Sequence, residues 1–340
     1  MRYLSIIFMQ FEVLLMRFNP SHKLLFSFLS IFLACFLGMS VLCACGNGPN
    51  NGTTAYIVFT DALGRTVSLS SQPQRTACLL GSFADVWTLA GGDVCAAAED
   101  AWDDFGLDLP DAVNIGGAHS PNTELLLSAA PDFVIASSST ASHVELCSLL
   151  ESSGITVAYF DVICFDDYLQ MLKTCTDITG RTDLWEQNGE RLAAEIASVK
   201  QQYADADIPA SENRILLLRA SSGFVKAKGS VGTVLGEMLA DLGCQNIADS
   251  DASLLENLSI ESVIAQEPYH IFVITMGSDT DAAMQSLSEL FSQNPAWQSM
   301  DAVQNNRIHV MDKSLFHLKP NARWAEAYQT LYEILTDPNT

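Results

Sequence analysis

Positive charge is scarce in this 340-residue chain: 17 lysines and arginines stand against 40 aspartates and glutamates, a formal charge of -23. That imbalance excludes nucleic acid and anionic lipid as main partners, because both would be repelled at long range. Catalytic signatures are also missing. There is no GxSxG, no HExxH, no GxxxxGKS/T and no EF-hand loop. No CxxC pair and no Cys/His cluster with zinc spacing occurs, and His317 has no spaced partner, so no metal site and no cofactor is assigned. The carboxylate pairs Asp103-Asp104, Asp166-Asp167 and Asp249/Asp251 fall in polar loops or at helix starts, where capping or solvation is their default role. Without an acid/base constellation the chain reads as a binder and not as an enzyme.

Long apolar runs are few, and the one that matters lies near the start. Arg17, His22 and Lys23 form a basic lead, Leu24 to Leu42 an apolar run, and Leu42-Cys43-Ala44-Cys45 follows, then GNGPNNGTT. That order is an export signal. A small residue directly before a cysteine resembles the bacterial lipobox, in which the thiol, here Cys45, is lipidated and residues 1–44 are removed. A retained spanning helix is the other reading of a nineteen-residue run, and Met16 is a candidate start. Either way most of the chain lies outside the cytoplasm, tethered to a membrane, with residues 45–55 as a flexible leash. Removing residues 1–44 leaves 14 basic and 39 acidic residues. Six cysteines lie beyond Cys45, mostly within apolar runs where a thiol packs as a small hydrophobe, so no disulfide is assigned.

The organising stretch runs from Asp166 to Ala206. In its second half Trp185, Leu192, Ile196, Val199 and Tyr203 recur on one face of a 3.6-residue period. Gly180-Arg181-Thr182 separates it from a helix over 166–179. We read 181–206 as a strut between two lobes; a surface helix inside one large domain is the alternative.

On either side strands alternate with helices. In the first part, 56–69 is hairpin-like, strands are expected at 75–80, 94–98, 133–136 and 156–160, and helices at 121–130 and 142–152. In the second, strands are expected at 214–218, 271–275 and 307–311, with helices at 231–242, 259–266, 287–291 and 323–335. The fold class is therefore α/β: two three-layer lobes with mainly parallel sheets, an N-terminal lobe over 56–180 and a C-terminal lobe over 207–340, joined by a single long helix. NTELLLSAAPDFVIA (122–136) and SIESVIAQEPYHIFVI (259–274) repeat one grammar, a cap, a glutamate, a short helix, a proline and an apolar strand. Glu124 and Glu261 each precede a proline by seven residues, which suggests pseudo-symmetric halves.

In open α/β sheets ligands bind beyond the carboxyl ends of the strands. That rule selects Ser82, Phe83, Trp102, Ser137 and Ser138 in the first lobe. In the second it selects Arg219, Ser222, Lys226, Met276, Phe316 and His317, with Lys228, Lys313 and Lys319 nearby. The second set is basic and aromatic within an acidic protein, as suits a large, partly anionic, partly planar ligand. Solvated loop charge is the plain alternative for each lysine, and ordinary packing for Trp102. Glu124 and Glu261 follow caps Asn122 and Ser259, where a carboxylate interacts with the helix dipole; their matched placement also fits docking charges for a two-fold symmetric partner.

The chain resembles the extracytoplasmic solute-binding lipoproteins of ABC importers for ferric siderophores, haem and cobalamin. The resemblance rests on FTDALGRTVSL at 59–69 with Pro73 and Arg75, NTELLLSAAPDFVIAS at 122–137, LSIESVIAQEPYHIFVI at 258–274 and PAWQSMDAVQNNRIHVMD at 295–312. It implies two α/β lobes on one rigid helix with little hinge closure. It also implies a cleft ligand that itself contains iron or cobalt, and docking of Glu124 and Glu261 on arginines of a dimeric permease. LFHLKPNARWAEAY at 315–328 resembles a subgroup of unassigned ligand. The histidine-rich acidic loop of the related zinc and manganese binders is missing, which argues against a bare metal ion. A sensor or scavenging domain of the same fold, without a transporter, is the competing function.

Overall fold

The computed structural model describes residues 55–277 and 279–337; Cys45, the signal segment and the leash lie outside them. The first described element is a hairpin of Ile57–Thr60 (β1) and Thr66–Leu69 (β2), paired antiparallel. Val67 and Leu69 point inward and their neighbours outward, as a period-2 pattern on a one-sided sheet requires. Asp61 fixes the turn by accepting from the backbone N–H of Leu63 and Arg65, both at 3.0 Å. Its carboxylate also takes the Arg65 guanidinium at 2.8 Å. That guanidinium lies 4.7 Å from the Tyr159 ring centre and donates to the Val157 carbonyl at 2.8 Å, tying the hairpin to the first lobe.

The first lobe is built on Thr76–Cys78 (β3), Val94–Ala97 (β4), Val113–Asn114 (β5), Phe133–Ser137 (β6) and Thr156–Phe160 (β7). They form one parallel sheet in the order β5-β4-β3-β6-β7. Every residue of β6 is buried, as expected of a central strand covered on both faces. The expected strands are present within one or two residues; β5 was not anticipated, being two residues long. The expected helix at 142–152 is split into Ala141–Glu145 and Cys147–Ser152.

The second lobe has Arg214–Ala220 (β8), Val225–Lys228 (β9), Gln245–Asn246 (β10), His270–Thr275 (β11) and Ile308–Met311 (β12). Strands β10-β8-β11-β12 are parallel, and β9 folds back antiparallel on β8. The sequence reading treated Lys226 and Lys228 as loop residues beyond β8; the structure corrects this by placing them in β9. The helix expected at 287–291 is also longer, Thr280–Gln293, because Asp279 caps it at 2.9 Å from the Ala282 N–H.

Between the sheets, the helix Phe165–Thr179 stops at Gly180, whose φ of 72° is the left-handed conformation glycine tolerates. Helix resumes at Thr182 and continues to Asp205 through a π-turn at Glu186–Glu190. At 1.5 Å per residue this rod is about 35 Å long. Leu192, Ile196, Val199 and Tyr203 are its buried face. The closing helix Trp324–Thr336 packs along it, and Trp324 lies 5.8 Å from Phe165 and 6.5 Å from Tyr168. One apolar cluster consequently runs from Phe83 and Trp87 through Leu192 and Ile196 to Leu217, Phe272 and Leu331. The opposite face of each sheet has a separate core.

Candidate functional site

Both sheets are parallel, so their carboxyl ends carry the loops that lead into the helices. On the second lobe those loops are basic. Arg219, near the end of β8, is half-buried, its Nε is buried without a hydrogen-bond partner, and burial pushes its guanidinium pKa down. The β8–β9 hairpin register sets Lys226 opposite Arg219. Lys228 is lowered by burial and then by the repulsion of Arg219 and Lys226. Lys226 lies 5.3 Å from the ring centre of Phe224, which is exposed. Among the described residues Arg219, Lys226 and Lys228 have no carboxylate within ion-pair distance. Like charges clustered in an acidic protein without such counter-charge form a patch that favours an anion.

The segment after β12 adds to this patch and carries it to the other lobe. Asp312 caps the turn Lys313–Phe316 through the Ser314 N–H at 2.7 Å. Lys313 Nζ then meets Asp104 Oδ1 of the first lobe at 3.0 Å. His317 is held neutral, its pKa brought down to about 4, by burial and by the charges of Arg219, Lys313 and Lys319, with Asp104 opposing them. Lys319 is lowered by burial and supported by Asp161 and Asp100 of the first lobe. Asn321, fully buried, donates to the Ser82 carbonyl at 3.0 Å and to Asp85 at 2.8 Å. The carboxyl-end loops of the two sheets thus face one another across a seam with Arg219, His317 and Lys313 on one side and Asp104 on the other.

Not every residue selected from the sequence reaches this seam as a surface. Phe83 and Phe316 are each only 1% exposed and belong to the shared apolar core. Phe83 stands edge-on to Phe160 at 6.4 Å. As cleft-lining aromatics both are corrected, because the period that places them near a loop also turns their rings into the core. Ser82 and Ser137 are buried. The Ser137 N–H donates to His143 Nδ1 at 3.2 Å, so the Nε2 proton of that imidazole is the one donated to the Ala118 carbonyl at 2.6 Å. Ser138, Trp102 and Met276 are half-buried, and Ser222 is exposed. Sequence reasoning missed Phe224, which follows Ser222 closely enough to have been flagged. It also left Asp104 as a solvated loop charge, although Trp102 two residues earlier already pointed to this loop.

Glu124 and Glu261 are exposed in the first turns of Thr123–Ser128 and Ile260–Gln266. Asn122 accepts from the Glu124 N–H at 3.0 Å. Ser259 donates its hydroxyl to Glu261 at 2.9 Å, and the helix N–H with this hydroxyl holds the Glu261 carboxyl below its usual range. Both modules end alike: Ala130 and Glu267 take left-handed φ of 48° and 44° directly before Pro131 and Pro268. Arg75, entering β3, donates to the Ala129 carbonyl at 2.6 Å. Arg214, entering β8, donates to the Glu267 carbonyl at 2.9 Å. The two glutamates therefore occupy equivalent places on the two halves.

Among the described residues no group of three or more His, Cys, Asp or Glu side chains is placed to hold a metal ion, and no helix is long and apolar enough to cross a membrane.

Comparison with known proteins gives these features a context. The Fe(3+)-citrate-binding protein YfmC of Bacillus subtilis is 24% identical over 307 residues, covering 86% of this chain and 90% of that protein. The staphyloferrin B complex of Staphylococcus aureus SirA superposes with a TM-score of 0.61 at 22% identity, covering 84% of this chain and 100% of that one. The haem-binding protein RhuT of Roseiflexus sp. RS-1 does so with a TM-score of 0.62 at 21% identity, over 78% and 99% of the two chains. At such identities the structural likeness speaks for the fold. The family model described as "Periplasmic binding protein" matches residues 77–315, more than half of the sequence, and the chain belongs to that family.

Proposed function

We propose that this chain is the extracytoplasmic, substrate-binding component of an ABC importer, anchored by lipid at Cys45. Its cargo is an iron chelate, a haem or a corrinoid, held where the carboxyl ends of the two sheets face each other. Capture involves no chemistry: the ligand is bound, carried to a dimeric permease and released there. The observation that carries the reading is the cluster of Arg219, Lys226 and Lys228 beside a neutral His317 in a strongly acidic protein. Fixed cations bind the carboxylates of a chelate, and Phe224 and Trp102 offer ring faces to its apolar parts. The iron-binding names of relatives such as YfmC support the same ligand class.

Two measurements test this. Protein purified from its native host should carry a visible chromophore whose absorption and mass identify a ferric chelate, haem or corrinoid. Titration with ferric citrate, a ferric hydroxamate, haemin and cobalamin should then give saturable binding by one of them; no binding by any refutes the reading. Docking is tested separately with Glu124→Ala combined with Glu261→Ala. Both side chains are exposed and neither is ion-paired with Arg219, Lys226 or Lys228 among the described residues, so the double variant should keep its ligand affinity within about twofold while uptake in cells is abolished. Uptake at the wild-type rate removes the docking role.

A further inference from the structure

The contact between Lys313 and Asp104 joins residues 209 positions apart in the chain, one from each lobe. Both side chains are about one-third exposed, 32% and 33%, so water reaches the pair and separating it costs little. Among the ion pairs of the described residues it is the one that links the loops at the carboxyl ends of the two sheets. On the second-lobe side Arg219 and Lys319 stand close enough to Lys313 that all three act on His317, and Asp104 is the carboxylate acting on the same ring. Arg219 keeps a buried Nε without a partner. Lys319 is supported by Asp161 and Asp100 of the opposite wall and Lys313 by Asp104, so among the described residues Arg219 is the cation left at the seam without a carboxylate of its own.

A carboxylate of a metal chelate offers an ammonium the same acceptor that Asp104 does. We propose that Asp104 is a built-in competitor for the ligand, its carboxylate holding Lys313 until an anionic iron chelate takes its place. The proposal rests on the iron-chelate reading given above. It makes Asp104 a determinant of affinity and specificity. A ligand with a carboxylate to offer recovers the lost ion pair with Lys313, whereas a neutral ligand that parts the pair recovers nothing. Asp103, the preceding residue, is exposed and has no ion-pair partner among the described residues, so it separates this contact from the general effect of one negative charge.

Ferric citrate is the probe, titrated into the purified chain and followed by tryptophan fluorescence, with Trp102 two residues from Asp104. Asp104→Asn should tighten binding by about fivefold, the scale of one exposed ion pair. Asp104→Ser, too short to reach Lys313, should give the same gain, and unfolding in urea should show both variants folded as wild type. Asp103→Asn should change the affinity by less than about twofold. Lys313→Gln should weaken binding, and adding Asp104→Asn to it should do nothing more, since the two act through one contact. Three results overturn the proposal: no gain with either Asp104 variant, an equal gain with Asp103→Asn, or a gain that persists without Lys313. If the wild type ignores ferric citrate and haemin but binds a neutral ferric hydroxamate or cobalamin, the competitor role falls and the transport reading stands; if it binds haemin, whose propionates are carboxylates, the same variants are read with haemin in place of ferric citrate. If it binds none of the four, both fall.

Discussion

A buried histidine and its half-buried neighbour show how this chain trades charge for packing one residue at a time. His270 and His309, on neighbouring strands β11 and β12, approach with Nδ1 and Nε2 at 3.0 Å, and Phe272 packs 5.0 Å from the His309 ring. One nitrogen of that contact donates and the other accepts, so at least one of the two rings must stay neutral for it to persist. Burial, then the mutual repulsion of the rings and the charge of Arg307, bring His270 down to about 3; burial and Arg307 bring His309 down to about 4. Arg307 itself is committed elsewhere, stacked 3.7 Å from the Tyr269 ring centre and paired with Asp301. In the unfolded chain a histidine titrates near 6.5. Between that value and the folded ones the unfolded state binds more protons, so stability is fully present above pH 6.5 and is lost as pH falls towards 4. By pH 5 each imidazole should have lost about 2 kcal/mol. Urea unfolding of the wild type and of His309→Gln at pH 7.5 and pH 5 checks this. The variant should lose about 2 kcal/mol less than the wild type over that interval, since His317, also brought down to about 4, contributes equally to both; parallel losses would exclude the pair as the cause. The sequence gives no hint of the contact, since histidines 39 residues apart become neighbours only through strand register.

At the scale of elements the sequence was informative wherever one period covered enough residues. Of the five residues expected on the inner face of the connecting rod, Leu192, Ile196, Val199 and Tyr203 are buried and Trp185 is half-buried. The repeat around Glu124 and Glu261 was legible as well, because caps and prolines leave residue-level marks. Its cause was not. The left-handed turns at Ala130 and Glu267 and the arginines that bind beside them depend on residues about fifty positions away in the chain. Also hidden was the π-turn at Glu186–Glu190. There the wider backbone lets buried Asn188 donate to the Leu89 carbonyl at 2.9 Å, and its own carbonyl accepts from Tyr168 Oη at 2.9 Å. Thr179 donates to the next carbonyl, that of Ala90, at 2.6 Å. Together they satisfy the open end of the helix Gly81–Leu89, whose start lies beyond the carboxyl end of β3. Gly189 follows because a Cβ there would meet the Trp185 ring at 2.7 Å. Asn188→Ala should therefore cost about 1–2 kcal/mol in urea unfolding, the value of one satisfied carbonyl in a half-buried setting. A loss below about 0.5 kcal/mol would mean that the turn has no capping role.

For the molecule as a whole, the shared apolar cluster decides how the lobes can move. A hinge is easy where few contacts cross it, and here Phe83, Leu192, Phe272 and Trp324 belong to one continuous core. The C-terminal segment strengthens this by returning from β12 to the first lobe. Asn321 sits there fully buried at φ 49°, a left-handed conformation that asparagine tolerates better than most residues, and bonds Ser82 and Asp85. Burial raises the pKa of Asp85, and the bond from Asn321 lowers it, so that carboxylate depends on a donor from the other half. Removing the amide in Asn321→Ala leaves Asp85 short of a partner and places alanine at positive φ. The expected cost is about 1–3 kcal/mol, read from the urea midpoint. A rigid pair of lobes also predicts that small-angle scattering of the wild type is the same with and without a saturating chelate. Asn321→Ala should be the variant whose radius of gyration rises when ligand is absent and returns to the wild-type value when it binds. A wild type that contracts on binding as far as the variant does would show that the seam opens freely, and that the returning segment is a passenger on the fold and not its clasp.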